Sequence, residues 1–161
     1  MTKSLWAPWR LEYIQQADES PGCVFCAEAA GDISESESLL VHRGDLALAI
    51  ANKFPYSSGH LLVAPLRHVA TLGELTADEA AEIHRLSVTA LASLSTIYEP
   101  AGFNLGWNLG RAAGAGIVDH VHLHIVPRWS GDTNFMPVLA DVKVLPEHLL
   151  ATRDRLRQAW P

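Results

Sequence analysis

The run Asp119-His120-Val121-His122-Leu123-His124-Ile125-Val126-Pro127-Arg128-Trp129 decides how this chain is read. Three histidines alternate with Val121, Leu123 and Ile125. Successive side chains of a strand point to opposite faces. An extended run therefore puts all three imidazoles on one face and the aliphatics on the other. At roughly 3.3 Å per residue the row spans about 13 Å. A helix would scatter the rings over a wide arc. Just upstream, Asn108-Leu109-Gly110-Arg111-Ala112-Ala113-Gly114-Ala115-Gly116 is a loop of small residues, whose backbone N–H groups can approach an anion closely. A row of imidazoles facing such a loop points to phosphate chemistry. Two other readings stay open: three packed or solvated histidines, and a histidine-only metal site, since neutral imidazole is a common metal ligand.

Composition sets the outer limits. The chain has 161 residues, 48% hydrophobic and 19% charged, which suits one domain with a real core and argues against wholesale disorder. Net charge is −6 and there is no long Lys or Arg run, which argues against a general nucleic-acid binder but not against small nucleotides. No stretch approaches the roughly 18 apolar residues of a membrane span, and residues 1–10 lack the apolar core of a signal peptide. The expectation is a cytoplasmic protein with no nucleic-acid or membrane partner. There, Cys23 and Cys26 point to metal or redox chemistry rather than a structural disulfide. The pair Cys23-Val24-Phe25-Cys26 is half a zinc site, and only histidines are left to supply the other half.

Residues 1–20, with Trp6, Trp9 and Tyr13, read as an arm that packs on the body or on a second subunit. A short helical stretch after Cys26 breaks at Gly31-Asp32. Residues 33–43 and 45–52 read as two strands around Leu39-Leu40-Val41 and Leu46-Ala47-Leu48-Ala49-Ile50, with a turn at Arg43-Gly44-Asp45. Residues 52–60 form a polar loop, and Leu61-Leu62-Val63-Ala64-Pro65 a buried strand. Thr76 and Glu79 form a capping box for a long helix whose stripe is Ile83, Leu86, Ala90, Leu94 and Ile97, ended by Pro100 and Gly102. Residues 103–108 resume strand, and the histidine strand follows the loop. Residues 130–135 are loop, 142–145 a last short strand, and Pro146-Glu147 opens a final helix holding Leu149, Leu150, Leu156 and Trp160. His42, His84 and His148 fit no pattern and read as surface residues. This order predicts a single α+β domain on a mostly antiparallel sheet, with one long helix and a C-terminal helix. Its parts are an arm over 1–20, a core over 21–130 and an extension over 131–161.

The run His120-Val121-His122-Leu123-His124-Ile125-Val126 resembles the motif of the histidine triad (HIT) superfamily of nucleotide hydrolases and transferases. Asn52, Pro55, Gly59-His60-Leu61-Leu62-Val63-Ala64-Pro65 and His68 resemble a second block of that family. Cys23 and Cys26 are placed like the cysteine pair of many bacterial members. Residues 127–135 are similar to the branch described as diadenosine tetraphosphate phosphorylases or hydrolases. The resemblance implies a HIT-like fold. It also implies a nucleotidyl hydrolase or phosphorylase cleaving a phosphoanhydride of a dinucleoside polyphosphate, or a similar AMP-containing substrate, through a covalent nucleotidyl-His122 intermediate. Neutral imidazole suits that task, because it attacks phosphorus near pH 7 and leaves easily afterwards.

The same resemblance implies that the His120 carbonyl holds the far proton of His122, that His124 helps the leaving group, and that His60 bonds within the triad. Asn52 and Lys53 would bind the nucleotide, Asn52 through a ribose hydroxyl. Asn108 would contact phosphate or the leaving group, and the backbone of Gly114, Ala115, Gly116 and Ile117 would cradle the α-phosphate. Cys23, Cys26, His68 and His120 would make a closed, structural zinc site. A homodimer is implied too, with the N-terminal arm and residues 130–146 as candidates for interface and substrate selection. One position departs: many members carry glutamine four residues before the first triad histidine, where this chain has Gly116. Backbone N–H groups or Arg111 are then the donors for the leaving group. Three alternatives remain: a nucleotidyltransferase passing the nucleotide to phosphate or a sugar phosphate, a nucleotide-binding protein with little turnover, and a redox or metal-handling protein built on the cysteines.

Overall fold

The computed structural model describes residues 22–132 and 147–161. The N-terminal arm and the strand expected over 142–145 lie outside them. Helix α1 (Val24–Ala30) is followed by strands β1 (Leu40–Arg43), β2 (Ala47–Ala51) and β3 (Leu61–Pro65). Then come helix α2 (Ala77–Tyr98), strands β4 (Gly102–Trp107) and β5 (Leu123–Arg128), and helix α3 (Leu149–Ala159). The five strands form one antiparallel sheet in the order β1-β2-β3-β5-β4. The α+β expectation holds. No helix among the described residues is long and apolar enough to cross a membrane.

Strands β2 and β3 are buried along their whole length, which is why they read as continuous apolar runs rather than alternating ones. One face packs Ala49, Val63, Leu123 and Ile125 against Ile83, Leu86, Ala90 and Leu94 of α2 and Leu156 of α3. Each fully buried aliphatic such as Ile125 contributes roughly 1.5–3 kcal/mol. The other face packs Leu48, Ile50, Leu62 and Ala64 under Phe25 of α1. The histidines stand on this second face.

Several boundaries differ from the sequence reading. The histidine run is not all strand: β5 begins at Leu123, and the β3–β5 ladder stops at Val63↔Leu123. The next partners on β3 lead to Pro65, which has no N–H to give a ladder. Val121 N instead bonds Val69 O at 2.7 Å. Residues 33–38 are not strand: they fold into a turn in which Ser34 O accepts from Glu37 N at 2.9 Å and Ser38 N at 2.8 Å, and Glu28 of α1 holds its far end by accepting from Ser38 Oγ and Leu39 N, both at 2.7 Å. The β1–β2 turn sits one residue later than expected, closed by Gly44 N to Ala47 O at 2.9 Å. Helix α2 ends with Glu99 at φ 45 in the left-handed region, ahead of Pro100. The last helix starts at Leu149, capped by His148, and Trp160 lies just past its end. Trp160 stacks on His42, so His42 is half-covered rather than free on the surface.

The capping box at Thr76 and Glu79 also anchors the segment after β3. Glu79 accepts from Thr76 N at 2.8 Å and takes both Arg67 Nε and Nη2, at 2.9 and 2.8 Å. The Arg67 hydrogen bonds, with the Thr76 N–H, lower the Glu79 pKa from 4.5 to about 2. A carboxylate held below its unfolded value stabilises the fold above the unfolded pKa and loses that contribution as pH falls through the folded one. Because Arg67 is half exposed, Glu79→Gln should cost only about 1–2 kcal/mol at pH 7. That gap should shrink below about pH 4.5 and close near pH 2, read as urea midpoints across this range.

Candidate active site and metal centre

His124 is the histidine that β5 itself carries. It lies opposite Leu62 of β3 and Gly106 of β4. The His122 ring is 5.0 Å from it, centroid to centroid. His60 enters just ahead of β3 and is almost fully buried. Gly59 makes that entry possible: it sits at φ +76, and a Cβ there would come within 2.8 Å of Leu94 and 3.0 Å of Tyr98. Asn52, at the end of β2, bonds its backbone N to His60 O at 2.9 Å.

The backbone fixes which ring nitrogen of each histidine carries the proton. His120 Nε2 lies 2.9 Å from Pro65 O, an acceptor, so Nε2 is the donor and Nδ1 keeps its lone pair. His122 Nδ1 lies 2.8 Å from His120 O, so Nδ1–H donates and Nε2 keeps the lone pair. His60 Nδ1 accepts from Tyr56 N at 3.0 Å. Its Nε2–H therefore donates to His124 Nδ1, 3.0 Å away, and His124 holds its own proton on Nε2. The Asn108 amide lies 3.3 Å from that Nε2, and an amide oxygen turned toward it would accept the proton. Side by side on one face stand an imidazole with a free Nε2 lone pair and one with an Nε2–H. Burial lowers the pKa of His122, opposed by its bond to the His120 carbonyl, and so favours the neutral ring.

His120 turns the other way. Its Nδ1 lies 3.2 Å from Cys23 Sγ and 3.7 Å from Cys26 Sγ, and His68 Nδ1 lies 3.3 Å from Cys26 Sγ. One ligand atom from each of Cys23, Cys26, His68 and His120 falls within 4.8 Å of the others, a cluster that could hold a metal ion. A tetrahedral ion with sulfur at about 2.3 Å and nitrogen at about 2.1 Å needs S···N edges of roughly 3.6 Å, so the donor set fits. The Pro65 carbonyl fixes the His120 tautomer that ligation requires. Burial raises the Cys23 pKa, favouring the thiol over the thiolate that a metal would bind.

The remaining candidates surround the imidazole row. The Asn52 amide nitrogen lies 3.3–3.4 Å from both ring nitrogens of His60, and its oxygen accepts from Phe54 N at 3.0 Å. Lys53 is exposed, 5.9 Å from the Phe54 ring centre. In the glycine loop, residues Arg111–Ala113 form a 3-10 turn. Gly114 N bonds Arg111 O at 2.9 Å and Ala115 N bonds Gly110 O at 3.3 Å, so those two N–H groups already serve the turn. Ala115 is buried, and Ile117 packs on the Phe25 cluster. Three site residues escaped the sequence reading. Tyr56 stacks on His60 at 4.9 Å, Phe25 packs on His120 and His122, and Gly106 leaves open space beside His124. Only Gly106 left a signal, as a glycine inside a strand pattern.

The HIT domain matches residues 34–131, the whole stretch from before β1 to the end of the histidine strand. The chain belongs to the HIT domain family. Over 164 aligned positions it is 38% identical to a protein named AP-4-A phosphorylase from Mycobacterium tuberculosis, covering 97% of this chain and 83% of that one. It is 35% identical to the adenosine 5'-monophosphoramidase of Schizosaccharomyces pombe, over 66% of this chain and 74% of that one. A crystal structure of a Zn-bound histidine triad family protein from Mycobacterium smegmatis superposes with a TM-score of 0.69 at 26% identity. It covers 86% of this chain and 93% of that one. The HIT domain here thus has the fold its histidine run suggested, with α1 and its cysteines lying ahead of the matched region.

Proposed function

We propose that this HIT domain protein is a nucleotidyl hydrolase or phosphorylase that cleaves a phosphoanhydride of a dinucleoside polyphosphate or a similar AMP-containing substrate. The observation that carries this reading is the hydrogen-bond geometry that assigns opposite tautomers, His122 with its lone pair on Nε2 and His124 with its proton there, their rings 5.0 Å apart. His122 Nε2 attacks the α-phosphorus. A P–N bond forms as the P–O bond to the leaving group breaks; the bonding pair stays on the departing phosphate oxygen, to which His124 Nε2–H donates a hydrogen bond. The His120 carbonyl holds the Nδ1 proton throughout, so the attached ring is a cationic imidazolium and a good leaving group. Phosphate, or water that gives up a proton to solvent, then attacks phosphorus, the P–N bond breaks, and the lone pair returns to His122. Backbone N–H groups from Gly116 onward stabilise the charge on the phosphoryl oxygens. Asn52 and Lys53 hold the nucleoside, and Asn108 steadies His124 or the leaving group.

Zinc at Cys23, Cys26, His68 and His120 completes the reading; when bound it would be structural, with all four positions filled by protein. One domain, a homodimer and a cytoplasmic location complete the proposal. The name of the Mycobacterium tuberculosis relative supports the polyphosphate substrate, and that of the Schizosaccharomyces pombe relative supports an AMP phosphoramidate as the second choice. The test is a panel of both substrate types, with products identified with and without phosphate. ADP formed only with phosphate marks a phosphorylase, and AMP or ATP formed without it a hydrolase. No product from any substrate sinks the proposal.

Gly106 gives a second check. A Cβ there meets no heavy atom within 4 Å, and it would stand beside His124. Gly106→Val should keep the fold and lower kcat/KM for the bulky dinucleotide roughly 10- to 100-fold, with a smaller effect on an AMP phosphoramidate. Equal losses on both substrates would show that the space beside His124 does not receive the leaving group.

A further inference from the structure

We propose that Phe25 is a positioning residue for His122, through which the Cys23/Cys26/His68/His120 cluster sets the plane of the attacking ring. The inference rests on the reading of His122 as nucleophile. Phe25 lies between the two cysteines of Cys23-Val24-Phe25-Cys26, in the first turn of α1, and is fully buried. Its ring centre is 4.9 Å from that of His120, tilted by 47°, and 5.0 Å from that of His122, tilted by 37°. Both separations fall within the range where tilted aromatic rings attract.

The His122 ring is buried, and three neighbours set its plane. The hydrogen bond from Nδ1 to His120 O holds one edge at 2.8 Å. A single hydrogen bond still lets a ring swing about it. The flat face of Phe25 limits that swing, with the His124 ring 5.0 Å away as a further neighbour. In-line attack tolerates little error, and a misplacement of about 1 Å costs on the order of 100-fold in rate.

The source of Phe25's own position is the cluster. Cys23 and Cys26 flank it in sequence, and their sulfurs lie 3.2 and 3.7 Å from His120 Nδ1. His120 therefore meets the nucleophile twice: its carbonyl holds His122 Nδ1, and its ring shares the Phe25 face. Held by a common ion, both cysteines would clamp the first turn of α1 against the residue that carries this carbonyl. Without that ion the turn would be freer and, with it, the Phe25 ring beside His122.

Phe25→Leu tests this, because leucine keeps much of the buried volume but offers no flat face. The variant is compared with the wild-type full chain by thermal unfolding, metal content, kinetics and the nitrogen-15 shifts of the His122 ring. The expected result is an unchanged metal stoichiometry, KM within about twofold, and kcat lower by about 10- to 100-fold. The His122 shifts move from those of one proton-on-Nδ1 tautomer toward averaged values. Chelating the metal from the wild type moves the same resonances in the same direction. Unchanged kcat and unchanged His122 shifts in metal-loaded Phe25→Leu overturn the positioning role. Unmoved His122 shifts on chelation overturn the link to the cluster. If the wild type turns over no substrate at all, the functional reading fails, while the ring shifts still decide whether Phe25 places His122.

Discussion

His122→Ala should abolish nucleotide turnover, lowering kcat by at least about four orders of magnitude, as loss of a covalent nucleophile does elsewhere. The size follows from what the ring supplies. Without it water or phosphate must displace the leaving group directly, from the side that the His122 ring occupies rather than the side the second step uses. The fold should survive. His122 is buried, but its side chain projects from residues ahead of β5 rather than from the ladder, and the helix-facing core does not include it. The cavity left beside Phe25 should cost about 1–3 kcal/mol, measured by urea unfolding. Brief mixing of wild type with labelled substrate followed by denaturation should trap label on the protein, stable to base and released by acid. His122→Ala should trap none. His124→Ala should still trap label, slowly, because it removes the hydrogen-bond donor to the leaving oxygen and not the attacking atom. Turnover by His122→Ala near the wild-type rate would end the covalent mechanism.

The sequence showed this fold where local chemistry was strong. The Thr76 and Glu79 capping box, the stripe from Ile83 to Leu94 and the apolar strand from Leu61 to Pro65 all appear as read, because each is specified by residues close in sequence. Where long-range contacts decide, the reading missed. Strict alternation put His120 in a strand with His122 and His124. Instead, the ladder ends at Leu123, and His120 turns to Pro65 O and the two sulfurs. Alternation cannot report that the neighbouring strand ends in proline. Residues 33–38 looked like strand because nothing local shows that Glu28 will pin Ser38 and Leu39 at the far end of a turn closed on Ser34 O. The site residues that carried a motif were legible, His60 among them. Tyr56 and Phe25 were not, because an aromatic in a loop or helix announces burial and gives no hint of which ring it will meet.

Stripping a metal held by Cys23, Cys26, His68 and His120, as proposed, should have the second-largest effect, and on stability before activity. An ion held at free concentrations about a thousandfold above its dissociation constant stabilises the native state by about 4 kcal/mol. For a chain of this length each kcal/mol moves Tm by roughly 2–4 °C, so chelation should lower Tm by about 8–16 °C. The sheet and α2 keep their own core, so the domain should remain folded. The loss should fall on α1, whose seven residues are too few to hold a helix unaided. Cys26→Ser should reproduce the effect, because Cys26 approaches both His68 and His120. The pH dependence has a definite sign. The metal binds thiolates and neutral imidazoles, and burial raises the Cys23 pKa while lowering that of His120. Raising the thiol makes deprotonation costlier; lowering the imidazole makes it ready at neutral pH. Proton competition at Cys23 is therefore sharpened, and a bound metal should be released more easily at pH 5.5 than at pH 8. Chelation that leaves Tm within about 2 °C at both values would mean that the four residues hold no structural ion.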